Sequence, residues 1–191
     1  MLHVICFGNP CQGDDGFGIH VFRRLREWHG LPLQVKVFDA GLAGLAAVSF
    51  FEDCSKVVIV DALKTGGRVG RVRRLRLDDL DPPGPELSLH AFGVAHLLTA
   101  LPVVFEGRAR PEIVVIGAEI GEVRRCTDEL TPPQEAAIDR AVRLVRREMI
   151  GHAPGWLTRG QGTEEVPSRP VMNRPRIDRL PEPWQVLHRH R

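Results

Sequence analysis

The sequence predicts an α/β protein: a three-layer sandwich in which a mostly parallel twisted sheet is flanked by helices. Three observations carry this. Short runs such as "VICF" (Val4–Phe7) and "KVVIV" (Lys56–Val60) have the continuous apolar, β-branched character of strands buried on both faces. Stretches of helical period alternate with them. The first run opens straight into a glycine-rich loop, "GNPCQGDDGFG" (Gly8–Gly18), as the first turn of a β–α unit does.

Leu2 to Phe7 is the first predicted strand. Ile19, Val21, Phe22 and Leu25 then recur on one helical face, with Arg23, Arg24, Arg26 and Glu27 opposite, and this helix should stop near Gly30-Leu31-Pro32. Leu33 to Phe38 alternates as a second strand, Asp39-Ala40-Gly41 is expected to turn out of it, and Leu42 to Phe51 reads as a helix. After Lys56–Val60 comes Asp61. Val69 to Leu77 reads as an arginine-rich strand, and Asp78 to Pro85 as a loop broken by Pro82-Pro83-Gly84-Pro85. Phe92 to Leu101 has helical character and Glu112 to Ile116 is another buried strand. A last helix begins with Thr131 as cap and Pro132 at the first helical position, and runs to about Ile150.

Composition narrows the class. Hydrophobic residues make up 43% of the 191, enough for a real core, and the formal net charge of +2 is too small to indicate nucleic-acid binding. The four cysteines form no C-x-x-C pair, so neither a zinc knuckle nor a redox dithiol is indicated. No apolar run approaches the ~20 residues that span a bilayer, and no leader is expected ahead of the first strand, so the expected location is the cytoplasm. Residues 1–150 form the expected domain. From 151 to 191 prolines and arginines are scattered without apolar periodicity, which reads as a disordered or docked extension.

The glycine loop is not a dinucleotide fingerprint, because Gly8 is followed by the next glycine only at Gly13. Charge argues the same way. Asp14 and Asp15 would repel a phosphate by ~4 kcal/mol per pair at ~4 Å and an effective dielectric of ~20. A carboxylate pair suits a cation or a developing positive group. In an open parallel sheet, ligands bind beyond the carboxyl ends of the strands. The acidic loop follows the first strand and Asp61 ends the third, so both belong to one rim, and His90 sits where it can reach that rim. Two carboxylates and an imidazole suit nickel, zinc or iron(II). Each residue also has a structural reading: Asp14 or Asp15 as a cap of the first helix, Asp61 as a turn residue, His90 as a cap or surface histidine.

Gly8-Asn9 with Asp14-Asp15-Gly16-Phe17-Gly18, then Val57-Val58-Ile59-Val60-Asp61-Ala62, then Ser88-Leu89-His90 with Gly93, together resemble the hydrogenase maturation proteases over roughly residues 2–150. These endopeptidases trim the C-terminus of a [NiFe]-hydrogenase large subunit. The resemblance implies that Asp15, Asp61 and His90 are the catalytic and metal-contacting residues, that Asn9 and Asp39 help bind substrate, and that the nickel is carried by the large-subunit precursor. Asp39-Ala40-Gly41-Leu42 is similar to the family's D-G-G-T turn but departs from it at Ala40 and Leu42. The extension after Gly151 has no counterpart in the shared core; as a basic arm it is a candidate contact for other maturation proteins.

The chain has no H-E-x-x-H pair and no G-x-S-x-G elbow. Three routes to hydrolysis stay open: nickel polarising the carbonyl, nickel activating a water, or Asp15 or Asp61 acting as general base. Cys11 is disfavoured as nucleophile, because neighbouring carboxylates raise a thiol pKa. Two other readings stand beside the protease. One is a non-catalytic chaperone that recognises nickel. The other is a receiver-type phosphoacceptor, weakened because no lysine follows the strand in "EIVVIGAEIG".

Overall fold

The computed structural model describes residues 1–77, 94–124 and 126–152. Among these residues five strands form one sheet: β1 (Leu2–Phe7), β2 (Val35–Gly41), β3 (Lys56–Leu63), β4 (Val72–Arg76) and β5 (Glu112–Glu119), in the order β2-β1-β3-β5-β4. All neighbours are parallel except the edge strand β4, which runs antiparallel to β5. The helices are α1 (Phe17–Arg26), α2 (Val94–Val104) and α3 (Pro132–Gly151).

The period-2 alternation of side chains divides the core into two layers. Leu2, Val4 and Cys6 of β1, with Val58, Val60 and Ala62 of β3, face α1 and α3. Ile5, Phe7, Val57, Ile59 and Leu63 face the opposite way, against α2 and the segment Gly44–Phe51. Burial on both faces is why these runs carry no polar alternation. Among the described residues, no helix is long and apolar enough to cross a membrane.

Two predicted elements differ from the structure. Asp39-Ala40-Gly41 does not turn out of the sheet: β2 continues to Gly41, and its register with β1 jumps from Cys6↔Asp39 to Phe7↔Gly41. Ala40 is the extra residue of a bulge and is buried, where the sequence predicts a turn. Gly44–Phe51 is a 3-10 helix rather than an α-helix. Its buried positions Gly44, Ala47 and Phe50 are three apart, which matches a three-residue turn. The Phe50 carbonyl also accepts a hydrogen bond from the His3 ring at 2.7 Å, fixing the segment to the sheet. The predicted arginine-rich strand shortens to Val72–Arg76, and the last buried strand extends to Glu119.

The edge is tied down by charge. Glu148 of α3 pairs with Lys56 of β3 and with Arg74 of β4, each at 2.7 Å, and Glu148 is only 11% exposed. Burial alone would push its carboxyl up, but the hydrogen bonds from Arg74 and Lys56 outweigh it and hold the group below its usual value. A depressed carboxylate stabilises the fold above its unfolded value and loses that contribution as pH falls through the folded value. Glu148→Gln is therefore expected to cost about 1–3 kcal/mol at pH 7. Thermal unfolding of wild type and variant should converge below about pH 4.

Candidate active site at the sheet's switch point

From β1 the chain crosses to β2 on one side, and β3 then returns to the other side of β1. The crevice between the carboxyl ends of β1 and β3 is thus the point where strand order reverses, and ligands of open α/β sheets bind there. The acidic loop and Asp61 both lie at this crevice. Gly18 explains how α1 starts so close. A Cβ at that position would collide with the carbonyl oxygens of Phe7 and Val60, the latter at 2.6 Å, so only glycine lets the helix sit across both strand ends. The loop itself is fixed by Asn9 N–H donating to the Asp15 carbonyl at 3.2 Å and Asp15 N–H donating to the Gln12 carbonyl at 3.3 Å.

The two adjacent aspartates have different neighbours. Neither caps α1 through its side chain. Asp14 is buried and faces the start of α3, where its carboxylate accepts the Thr131 N–H at 2.7 Å and the Thr131 hydroxyl at 2.8 Å. Thr131 precedes the helix as predicted, but its hydroxyl is spent on Asp14 rather than on an α3 amide. Asp14 is thus a brace between the first loop and the last helix.

Asp15 and Asp61 are also buried, at 1% and 2% exposure. Asp61 Oδ1 accepts the Ala62 N–H at 2.8 Å, while its buried Oδ2 has no hydrogen-bond partner among the described residues. Burial pushes the Asp61 carboxyl well above the usual range. The Ala62 bond pulls it back in part, and the negative charge of Asp15 adds to the rise. The geometry therefore brings Asp15 and Asp61 within electrostatic reach of each other. A desolvated carboxylate beside another, with an oxygen left over, is a place where positive charge is stabilised.

Among the described residues, no group of three or more His, Cys, Asp and Glu side chains could hold a metal ion. Two carboxylates alone leave most of a cation's coordination open, so a third donor and the ligands of an incoming substrate would have to complete it. His90, the third predicted donor, lies outside the described residues.

The predicted substrate residues sit on either side. Asn9 Oδ1 accepts the Cys11 N–H at 3.0 Å, so this oxygen shapes the loop. Asp39, half-buried, ends the regular pairing of β2 with β1 opposite Cys6. Beyond it Leu42 and Leu45 are exposed, at 58% and 49%. Cys11 is exposed and free.

Sequence reasoning did not identify the Asp14–Thr131 brace, which joins residues 117 apart with no local pattern to announce it. Nor did it find the cluster at the end of β5. There Glu119 is buried and accepts Thr65 N–H at 3.0 Å, the Thr65 hydroxyl and Arg73. Among the described residues the sheet is not the all-parallel five-stranded one of a receiver, since β4 is antiparallel to β5.

A sequence model of the family described as hydrogenase maturation protease matches residues 19–148. The hydrogenase expression/formation protein HupD of Rhodobacter capsulatus is 28% identical over 148 residues, covering 76% of this chain and 70% of its own length. Among solved structures, the hydrogenase maturating endopeptidase HybD from E. coli superposes with a TM-score of 0.66 at 23% identity, over 78% of this chain and 92% of its own. The hydrogenase 2 maturation peptidase of a Thaumarchaeota archaeon gives 0.57 at 29% identity, over 78% and 97%.

Proposed function

The chain belongs to the hydrogenase maturation protease family, and from that premise we propose that it is an endopeptidase acting on a [NiFe]-hydrogenase large-subunit precursor. It removes the precursor's C-terminal peptide after nickel insertion, and Asp15, Asp61 and His90 contact the nickel that the precursor carries. The observation that supports this most is the buried Asp61, with Oδ2 unspent, beside Asp15 at the switch point.

The electrostatics suit recognition of an ion that arrives with the substrate. In the free protein, burial and the Asp15 charge favour a protonated Asp61. A divalent cation at the crevice reverses that balance and favours two ionised carboxylates. A precursor without its metal brings no such charge, and the pair has nothing to hold. Ionised beside the cation, Asp61 also serves as general base for the attacking water. The exposed Leu42 and Leu45 offer apolar contact for the body of the partner. The reaction is assigned to the cytoplasm, where the free thiols of Cys11 and Cys126 stay reduced.

Mass analysis of a large-subunit precursor after mixing with this chain tests the reading. A shortened C-terminus is expected, and His90→Ala should abolish the shortening. An intact C-terminus held in a stable complex would make the chain a chaperone. Normal processing by the His90 variant would remove the imidazole from the site.

A further inference from the structure

Arg68, Arg71 and Arg140 line a cavity of about 670 Å3 between the loop that leads into β4 and the first turns of α3, where Pro133 and Ala136 complete its wall. The loop is a tight turn: Arg71 N–H donates to the Arg68 carbonyl at 3.0 Å, which sets these two arginines side by side. Gly70 makes the turn with φ +78°, and a Cβ there would lie 2.7 Å from the Pro133 carbonyl oxygen. Arg140 is anchored from the other wall, donating to the Gly70 carbonyl at 2.8 Å. Arg73 and Arg74, next along the strand, pair with Glu119 and Glu148. Arg68, Arg71 and Arg140 pair with no carboxylate among the described residues.

The cavity lies at the carboxyl end of β5, the end of the sheet that also carries Asp61, but on the α3 face, whereas alternation along β3 assigns Asp61 to the α2 face. Gly117 of β5 lies level with Asp61 on one side and Arg73 on the other, so those two backbones are ~10 Å apart at ~4.8 Å per strand. Arg71 lies level with Glu119, two positions nearer the rim than Gly117, and Arg68 belongs to the turn beyond it. An extended chain spans ~3.3 Å per residue, so a peptide leaving Asp61 needs about three residues for the lateral distance alone, and more to pass over the end of the sheet to the α3 face.

We infer that this cavity is a second docking point for the polypeptide substrate, and that it takes a carboxylate-bearing segment which passes over the sheet's rim several residues away from the bond to be cut. The inference rests on the endopeptidase reading for the identity of the partner. Guanidinium groups bind carboxylates in a two-pronged fashion, and three of them without carboxylate partners among the described residues complement an acidic segment. The cavity is of the size that encloses several side chains. Among the described residues β4 is hydrogen-bonded to a strand on one side only, so its outer edge offers backbone groups to an extended chain. The competing role for arginines on an edge strand is to repel other edges and prevent self-association.

The test uses the full chain with fluorescein-labelled hexaglutamate and hexaglutamine, followed by anisotropy. Wild type is expected to bind hexaglutamate and not hexaglutamine. Arg68→Glu with Arg71→Glu should weaken hexaglutamate at least tenfold, and Arg68→Lys with Arg71→Lys should weaken it less; the lysine pair also covers misfolding of the glutamate pair. With precursor as substrate, the glutamate pair should raise KM about tenfold and leave kcat unchanged. No binding by wild type, or equal binding by wild type and the glutamate pair, overturns the inference. So does self-association of the glutamate pair with unchanged peptide binding, which assigns the arginines to edge protection. Displacement of the peptide by micromolar inorganic phosphate also overturns it, since the site would then belong to a small free anion. Asp61→Asn should bind hexaglutamate like wild type. Peptide binding without any precursor cleavage by wild type would sink the endopeptidase reading and leave the cavity's anion chemistry standing.

Discussion

Asp61→Asn is expected to abolish precursor cleavage and at the same time to make the protein more stable. The carboxylate is buried, one oxygen has no hydrogen-bond partner among the described residues, and the Asp15 charge opposes its ionisation. Asparagine keeps the Oδ1 acceptor for the Ala62 N–H and removes the charge. The activity loss should be about 10²–10⁴-fold, the range for a group that positions or transfers a proton at the reacting bond. The gain in stability should be on the order of 1–2 kcal/mol, or about 3–6 °C for a domain of this size. The pH dependence has a definite sign. Because the folded carboxyl is raised, its cost is absent below the unfolded value and grows as pH climbs toward the folded one. Thermal melts of wild type and variant should therefore nearly coincide at about pH 4 and separate toward pH 8, with the variant higher. Equal melting at every pH would mean that Asp61 is not strained by burial.

Asp14→Ala should do the reverse. It leaves the Thr131 N–H and hydroxyl without their acceptor in a half-buried position and releases the start of α3 from the first loop. The expected cost is about 2–4 kcal/mol, a fall in melting temperature of roughly 6–12 °C. Below its melting temperature the variant should still process precursor, because Asp14 spends both oxygens on Thr131 and none at the crevice. Thr131→Val removes one of the two bonds and should cost less. In a double-mutant cycle the two changes should be strongly non-additive. Two neighbouring carboxylates thus carry separable loads, one measured by a melt and the other by an assay.

Much of this layout was legible in the chain. β1 and β3 announce themselves as β-branched runs, and the rule that ligands sit beyond strand carboxyl ends brings the acidic loop and Asp61 to one rim before any coordinates. Pro132 after Thr131 marks the start of α3. The division of labour within Asp14-Asp15 was not legible. It depends on Thr131, which reaches the loop only through the tertiary packing of α3. The bulge at Ala40 was likewise hidden, because Asp-Ala-Gly has the composition of a turn and only pairing with β1 keeps it in the sheet. The 3-10 helix at Gly44–Phe51 reads as α by composition, and its three-residue spacing of buried positions emerges only against the core. The arginine cavity needs β4 beside α3, two elements some sixty residues apart in sequence.

The central claim is that the Asp15–Asp61 pair, with His90, answers to a cation delivered by the substrate. Release of the C-terminal peptide, followed by mass from nickel-loaded and nickel-free forms of one precursor, measures this directly. Cleavage of the loaded form alone is the predicted result. Cleavage of both at equal rates would contradict it.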